Sequence, residues 1–555
     1  MPNNPGSAKF NSAETTAPRP GLKAAFGSVD TYVIAALFLL LLVHAQRGWM
    51  TTKDDAFITF RYAEHLAHGQ GLVWNPGDGP VEGYTNFLFM IIMAVFALFK
   101  ADLVFASKLV NLVSAAAVFF MLIEIFNRVY RDRFLVYFGL FLFAFPYFIS
   151  AHIAGGLETM FYAMLVTLCG LMLLRQMELY SGKRQTLMCL AMLSLGLTRP
   201  EGVLVAGLLV ILELMLVKES RSIDYMRRLA LWLVLPGAAY MIARVLYFHY
   251  WLPNPFYIKK SDKLFSLVGL IELQEFILKS KIFVGIIFVP FIAEKSRKAL
   301  LVLTAIFLPS LAVYMFFRPM MNYAFRYYMP YYPLMLPVLG APLFFVKKGL
   351  DHILGRRKKL AAVRYSYTVT LVLIAVVLLC PYITSNYFNF KYWRQQGKKL
   401  NDCHIYIGKI FGRFPEFRNR YIAIGDAGAI SYYSKWKVID LGGLNDVHLA
   451  HYGRATASEM DVFATKMDFD YVFSKDPAVL MLASSNPITV DHHAARALAE
   501  NPRIKNYERA FAIEYSPLIF EILYFKKNDR ALQKLRTAFE EASIMRGTRR
   551  IRDPD

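Results

Sequence analysis

Two adjacent carboxylates, Asp54 and Asp55, begin the stretch DDAFITFRYAEHLAHGQGLVWNPGDGPVEGYTN (54–86), directly after the first strongly apolar run of the chain. Charge at a membrane–water boundary is energetically expensive, so carboxylates held there point to function. Such a loop carboxylate can take the proton of an attacking hydroxyl. Cations recur at similar boundaries farther on: Arg199 in LTRPEG (197–202), Lys259 in LPNPFYIKK (252–260) and Arg326 in NYAFRYYMP (322–330). Arginine's forked donors match phosphate oxygens and would meet the charge of a departing phosphate. Glu82, Glu158 in GGLET (155–159) and Glu201 complete the set. A base beside phosphate-binding cations at headgroup level suits the transfer of a sugar joined through phosphate to a membrane lipid. Each residue also has a structural role open to it. Asp54 can cap a helix and Asp55 can sit in its first turn. Glu158 can open a helix, Arg199 and Glu201 can pair with each other, and Arg326 can anchor an interface.

The elements that must position these groups are membrane helices. The chain has 555 residues, 56% of them hydrophobic and 15% aromatic, with a mean hydropathy of +0.37. Apolar runs near bilayer length recur, which one soluble core cannot accommodate. The formal charge of +22 comes largely from short clusters between those runs, so cytoplasmic loops explain it without nucleic acid. Four cysteines without a CxxC or His/Cys cluster exclude a disulfide framework and a structural zinc site.

Spans are expected near 30–47, 104–126, 134–150, 157–175, 186–199, 200–217, 227–248, 282–293, 298–317, 328–346 and 367–385, eleven in all. Residues 1–28 read as a disordered cytoplasmic tail. Threading from a cytoplasmic N-terminus puts 20 Lys and Arg in the inner loops against 11 in the longer outer ones, as the positive-inside rule requires. The segment 87–99 is apolar but short, and is expected to be re-entrant or interfacial within a first outer loop, 48–102. In that loop Asp54 is expected to cap a helix running from about Asp55 to His68. Ala56, Phe60, Ala63 and Ala67 would share one face, and Arg61, Glu64, His65 and His68 the other, as in a helix lying on the membrane. His65 and His68 read as that solvated face rather than as a metal pair.

After the membrane domain, 29–385, the pattern changes. Runs 421–425, 437–441 and 469–473 read as short buried strands, with a helical segment between the first two. Residues 386–530 are therefore expected to form a small extracytoplasmic α/β domain, followed by a basic tail, 531–555. The fold class expected is a polytopic α-helical membrane protein of about 11 spans with a C-terminal α/β domain.

At DDAFITFRYA (54–63), GLVWNPGDGPVEGYTN (71–86), GGLET, LTRPEG, LPNPFYIK, RYYMPYYP (326–333), IGDAGAISYYS (424–434) and VIDLGGLND (438–446) the chain resembles the GT-C superfamily of membrane glycosyltransferases that use polyprenyl-phosphate sugars. It is most similar to the mycobacterial-type terminal arabinofuranosyltransferases and their bacterial relatives. The resemblance implies a catalytic aspartate in the first outer loop: Asp54, with Asp55 as second choice or orienting partner. It also implies donor-phosphate binding by Arg199, Arg326 and Lys259. Arg61, Glu82, Tyr84, Glu158, Glu201, Asn254, Tyr257 and Tyr327 are expected around the substrates. The sugar implied is arabinofuranose, the acceptor a cell-envelope glycan or glycoconjugate, and the location a bacterial inner membrane. No cofactor is expected, although Asp54, Asp55 and Glu82 could together hold a divalent ion. Two other classes compete. A transporter or flippase of lipid-linked sugars would need deep ionisable residues, for which Glu213 and Arg244 are the candidates. A non-catalytic glycan-binding protein would leave the acidic loop unexplained.

Overall fold

The computed structural model describes residues 28–259, 267–316, 321–354, 388–455, 466–516 and 519–546. The expected N-terminal tail and the expected span 367–385 lie outside the described residues. Six helices are long and apolar enough to cross a bilayer: Val29–Gly48, Leu103–Val129, Thr159–Glu178, Ile223–Phe248, Glu294–Tyr314 and Tyr323–Gly349. A seventh candidate is the pair Arg133–Ala144 and Tyr147–Ala154, bent by 55°. Pro146 stands at that bend, where it removes a backbone donor and stops the helix. Eleven full spans are therefore not found among the described residues. Part of the difference is length: Gly182–Thr198 and Glu201–Leu216 have 17 and 16 residues. At 1.5 Å per residue each reaches about 25 Å, short of a ~30 Å hydrocarbon layer. Phe87–Leu98, with 12 residues, is shorter still.

Helix Asp54–Ala67 departs from its expected place. Lys53, not Asp54, is the N-cap, and residues from Ala56 to Ala63 are all buried, as is His65. The helix does not lie on a surface. Phe57 and Phe60 pack into one apolar cluster that also takes in Phe89 and Met93 of helix Phe87–Leu98, and Ile422, Trp436 and Val438 of the C-terminal domain. Its polar face is satisfied by carbonyl groups instead of water: His65 Nδ1 lies 2.9 Å from Val73 O, and Arg61 reaches Trp74 O at 2.9 Å and Trp436 O at 2.8 Å.

The C-terminal domain is α/β as expected. We label its main strands β1 (Tyr421–Ile424), β2 (Lys437–Asp440), β3 (Val479–Ser484), β4 (Tyr507–Ser516) and β5 (Ile519–Lys526). They form one sheet in the order β2-β1-β3-β5-β4. β1 runs parallel to both β2 and β3, while β5 is antiparallel to β3 and β4. The run 469–473 is a helix, Phe469–Ser474, not a strand, because the Asp468 carboxylate caps it by accepting from Tyr471 N–H at 3.1 Å. The expected solvated tail is in part a helix, Gln533–Arg546. Its Leu535 and Phe539 are buried, Phe539 against Phe411, Phe511 and Phe525.

Candidate active site

Strands β1, β2 and β3 present their carboxyl ends toward helix Asp54–Ala67. Between them lies a cavity of about 150 Å³. Its walls include Asp54 and Asp55, the β1 exit Gly425-Asp426, the β2 exit Asp440–Gly442, and Lys259. β2 lies on one side of β1 and β3 on the other. The chain thus reverses its winding at β1, the place where open parallel sheets leave a crevice for ligands.

The two aspartates diverge. Asp54 Oδ2 accepts from Gly428 N–H and Oδ1 from Ala429 N–H, both at 2.9 Å, and His404 Nδ1 stands 3.4 Å from Oδ1. Its carboxylate therefore fastens the membrane part to the turn after β1. Only glycine fits at 428, since a Cβ there would collide with this carboxylate. Asp55 points instead to Arg326, Nη1 to Oδ2 3.3 Å.

From Asp55 a chain of charges runs inward. Arg326 Nη2 meets Glu158 Oε1 at 3.3 Å, and the same oxygen receives Arg199 Nε at 2.8 Å. Arg199 Nη1 donates to Glu201 Oε1 at 3.2 Å, which also accepts from Tyr314 O–H at 2.6 Å. Side-chain accessibility falls from 26% at Asp55 and 11% at Arg326 to 2% at Glu158, and stays low at Arg199, 4%, and Glu201, 6%. Arg326 Nε has no partner among the described residues. Tyr327, buried and stacked on Tyr314 with ring centroids 4.3 Å apart, lies under both guanidinium groups.

The expected site residues thus sort into three places. Asp54, Asp55 and Lys259 line the cavity, and Arg326 joins them through Asp55. Arg199, Glu158, Glu201 and Tyr327 form a buried tier behind. Arg199, expected among the phosphate binders, has both sides of its guanidinium engaged by carboxylates and donates to Arg326 O at 3.3 Å.

The third group holds the two parts of the molecule together. Arg61 is fully engaged with carbonyls of Trp74, Ser431 and Trp436 and with Asn75, so it is a clamp rather than a substrate residue. Glu82 pairs with Arg244, Oε1 to Nε 3.0 Å, and its carbonyl accepts from Asn254 N–H at 2.9 Å. Asn254 Nδ2 then donates to Gly443 O, Leu444 O and Asp446 O, at 3.0 to 3.1 Å. Tyr84 is buried edge-on to Tyr62, and Tyr257 packs on His451. These five stand apart from the cavity wall: Arg61 and Asn254 spend their donors on backbone carbonyls, Glu82 pairs with Arg244, Tyr84 is buried with no partner for its hydroxyl among the described residues, and a neighbouring ring covers Tyr257. His65 and His68 bond to the carbonyls of Val73 and Glu64, and Glu82 is paired with Arg244 away from the aspartates, so the expected Asp54, Asp55 and Glu82 set is not assembled.

A different cluster is. His404, Asp426 and Glu521 bring one ligand atom each to within 4.8 Å of one another. His404 Nε2 lies 3.2 Å from Glu521 Oε1 and 3.9 Å from Asp426 Oδ2, and its ring stacks on Tyr515 at 4.4 Å. One imidazole and two carboxylates suit a divalent transition metal, with Asp54 on Nδ1 as the orienting carboxylate. Burial works against the His404 imidazolium, but the bonds to Asp54 and Glu521 outweigh it and hold its pKa well above the usual range. Asp426 has a 40% accessible side chain. That surface faces the crevice, and burial there, opposed by His404, pushes its pKa up to about 7. Asp440 is raised to about 6 by burial, against the bonds from Asn445 and Gly442. Sequence reading could have found Asp426, which directly follows an expected strand. His404 sits in a π-helical turn, Asn401–Ile405, and Glu521 in an apolar strand, and nothing in their sequence spacing joins them.

This architecture defines a class: a polytopic helical fold, with six helices long and apolar enough to cross a membrane among the described residues, carrying a C-terminal α/β domain. ArnT from Cupriavidus metallidurans in the apo state is similar, with 15% identity over 90% of this chain and 98% of that chain and a TM-score of 0.54. The same protein bound to undecaprenyl phosphate gives 14%, the same coverages and 0.50. The Archaeoglobus fulgidus oligosaccharyltransferase in its apo form gives 13%, 93% and 78%, and 0.50. At such identities the likeness is one of fold. Residues 407–532 match a family profile described as "Domain of unknown function (DUF8728)". No curated protein sequence matches the chain.

Proposed function

We propose that this protein is an integral-membrane glycosyltransferase that moves a sugar from a polyprenyl-phosphate donor to a hydroxyl of a cell-envelope glycan or glycoconjugate. The observation that carries the reading is the Asp55–Arg326 pair, a carboxylate and a guanidinium side by side at a crevice between membrane helices and strand ends. In the step proposed, Asp55 takes the proton of the acceptor hydroxyl, whose oxygen bonds to the anomeric carbon. The anomeric C–O bond to phosphate breaks, and its electron pair leaves with the polyprenyl phosphate. Arg326 and Lys259 meet that charge. Asp54 positions the helix, and Arg199 holds Arg326 through Glu158.

A cavity of about 150 Å³ has the volume of about five waters, which favours transfer of one sugar unit over an oligosaccharide. Arabinofuranose is the sugar that the sequence resemblance implies, and we keep it as the proposed donor. The fold of ArnT bound to undecaprenyl phosphate supports a lipid-phosphate donor, and a bacterial inner membrane with the α/β domain outside fits the charge asymmetry of the loops. When a divalent cation occupies His404, Asp426 and Glu521, it supplies a further positive charge beside Asp54.

The transporter reading lacks support here. Glu213 accepts from Tyr225 O–H at 2.9 Å and Arg244 pairs with Glu82, so both deep groups are locally paired. The test is transfer from radiolabelled polyprenyl-phosphate arabinofuranose to envelope glycan in proteoliposomes, repeated with other polyprenyl-phosphate sugars and with EDTA. Product formation that is lost in Asp55→Asn and Arg326→Ala supports the proposal. No transfer from any lipid-linked sugar, with donor still bound, overturns it.

A further inference from the structure

A second and larger cavity, about 990 Å³, lies where the first spanning helix ends and the α/β domain begins. Arg47, Lys391, Arg394 and Lys398 line it, and Asp402 is the one carboxylate among its lining residues. Its apolar wall is made by Met50, Phe145 and Phe390. Positions 391, 394 and 398 recur every three to four residues of the helical run that starts at 388, so they share one face. The opposite face, Trp393, Gly397 and Leu400, is buried. It lies so close to the first helix that a Cβ on Gly397 would stand 2.7 Å from Met50 O. The basic face is thus fixed over the cavity by the packing behind it.

Two facts separate this cluster from ordinary surface charge. Among the described residues, none of the four cations has a hydrogen-bond or ion-pair partner. Several basic groups elsewhere in the molecule are paired: Arg128 and Arg175 meet Glu124, and Lys437 meets Asp78. The sequence offers little local neutralisation, Asp402 being the one acid close to the basic run. From Asp351 to Asp402 it contains nine Lys and Arg and no intervening acid. Arg47 sits in the last turn of its spanning helix, which places the cluster at headgroup depth, where a basic cluster attracts anionic lipid.

We propose that this cavity binds the phosphate of an anionic membrane phospholipid, with an acyl chain against Phe145, Phe390 and Met50. Four cations exceed what one phosphate needs, and an apolar wall is of no use to a free ion. The site is separate from the transfer chemistry and stands whether or not that reading holds.

The test uses the full chain in detergent, with phosphatidylglycerol or phosphatidylcholine added and bound lipid counted by native mass spectrometry. Each cation near a lipid surface contributes about fivefold in affinity, so K391Q/R394Q/K398Q should bind phosphatidylglycerol on the order of a hundredfold more weakly. R503Q/K505Q/K534Q, with the same loss of charge on the exposed side of the α/β domain, should bind like wild type. Should the triple variant fail to fold, Arg394→Gln alone should lose about fivefold, and wild-type binding should weaken with salt. Equal binding by cavity variant and control overturns the proposal. So does wild-type binding that ignores salt or does not distinguish the two lipids. Displacement by millimolar inorganic phosphate would show a free-anion site instead, and polyprenyl phosphate as the only lipid retained would show a second substrate site.

Discussion

Asp54→Asn and Asp55→Asn should fail in different ways. Asp54 accepts one backbone N–H on each oxygen, from Gly428 and Ala429. Asparagine keeps one acceptor and turns an amide NH2 toward the other N–H, so one donor loses its partner in a largely enclosed place. That loss costs about 1–3 kcal/mol, and His404 loses its anion on the Nδ1 side as well. Asp55 meets only Arg326, at 3.3 Å and with 26% of its side chain accessible. An asparagine carbonyl can accept the same bond, and a partly exposed pair is worth ~1 kcal/mol or less. If Asp55 is the base, its removal should lower turnover by about 10²- to 10⁴-fold.

The assay pairs thermal unfolding in detergent with single-turnover transfer in proteoliposomes. Asp54→Asn should unfold several degrees earlier, release the α/β domain to protease sooner, and keep turnover within about tenfold of wild type once folded. Asp55→Asn should melt like wild type and lose at least ~100-fold in turnover. The reasoning is refuted if Asp54→Asn is thermally silent and inactive while Asp55→Asn still transfers. The seam carboxylate would then be the base.

Three other outcomes are expected. Arg326→Lys should raise the donor KM, whereas Arg199→Lys should lower turnover with little change in donor KM, because Arg199 acts through Glu158 and the Arg326 carbonyl; steady-state kinetics at varied donor separate the two. Arg61→Met leaves the carbonyls of Trp74 and Trp436 without donors inside the seam and should destabilise the protein by about 3 kcal/mol, read as a lower unfolding midpoint with earlier cleavage between the two parts. Burial pushes the Lys53 ammonium down to about 7, against the pull of Asp55, with Trp393 3.5 Å below it. The unfolded chain then holds more protons than the folded one between pH 7 and the ordinary lysine value, so this group's penalty is full below pH 7 and fades as pH rises. Lys53→Met should therefore raise the melting temperature most near pH 6 and least near pH 10; an offset that does not change with pH would refute it.

What could be read from the sequence was local. Apolar runs gave the long helices to within a few residues, since the hydrophobic requirement of a span is written continuously along the chain. Strands β1 and β2 were legible for the same reason, as short apolar runs flanked by Gly and charged residues. The failures have one physical origin. Arg61 and His65 looked like a solvated helix face because a polar side chain announces only that it needs partners. The carbonyls that satisfy Arg61 come from Ser431 and Trp436 as well as nearby Trp74. The run 469–473 looked like a strand until Asp468 was seen to cap it, a bond that propensity does not weigh. His404 and Glu521 meet Asp426 only because β5 pairs with β3, setting Glu521 opposite Ala483.

The doubled aspartate was also more informative than either residue alone. Successive residues of a helix point about 100° apart, and here the adjacent carboxylates address different neighbours. A pair at i and i+1 at the start of a helix can thus serve two tasks on two faces. The structure supplies two neighbours in those directions, the first turn after β1 for Asp54 and the Arg326–Glu158 tier for Asp55. Joining them through one helical turn couples the cavity to the seam: any shift of the α/β domain that pulls on Asp54 also turns Asp55 relative to Arg326. Activity should consequently fall with mutations at the seam, such as Gly428→Ala, that touch no reacting group. As with Asp54→Asn, the loss of turnover should be small beside the drop in thermal stability, because a Cβ at 428 collides with Asp54.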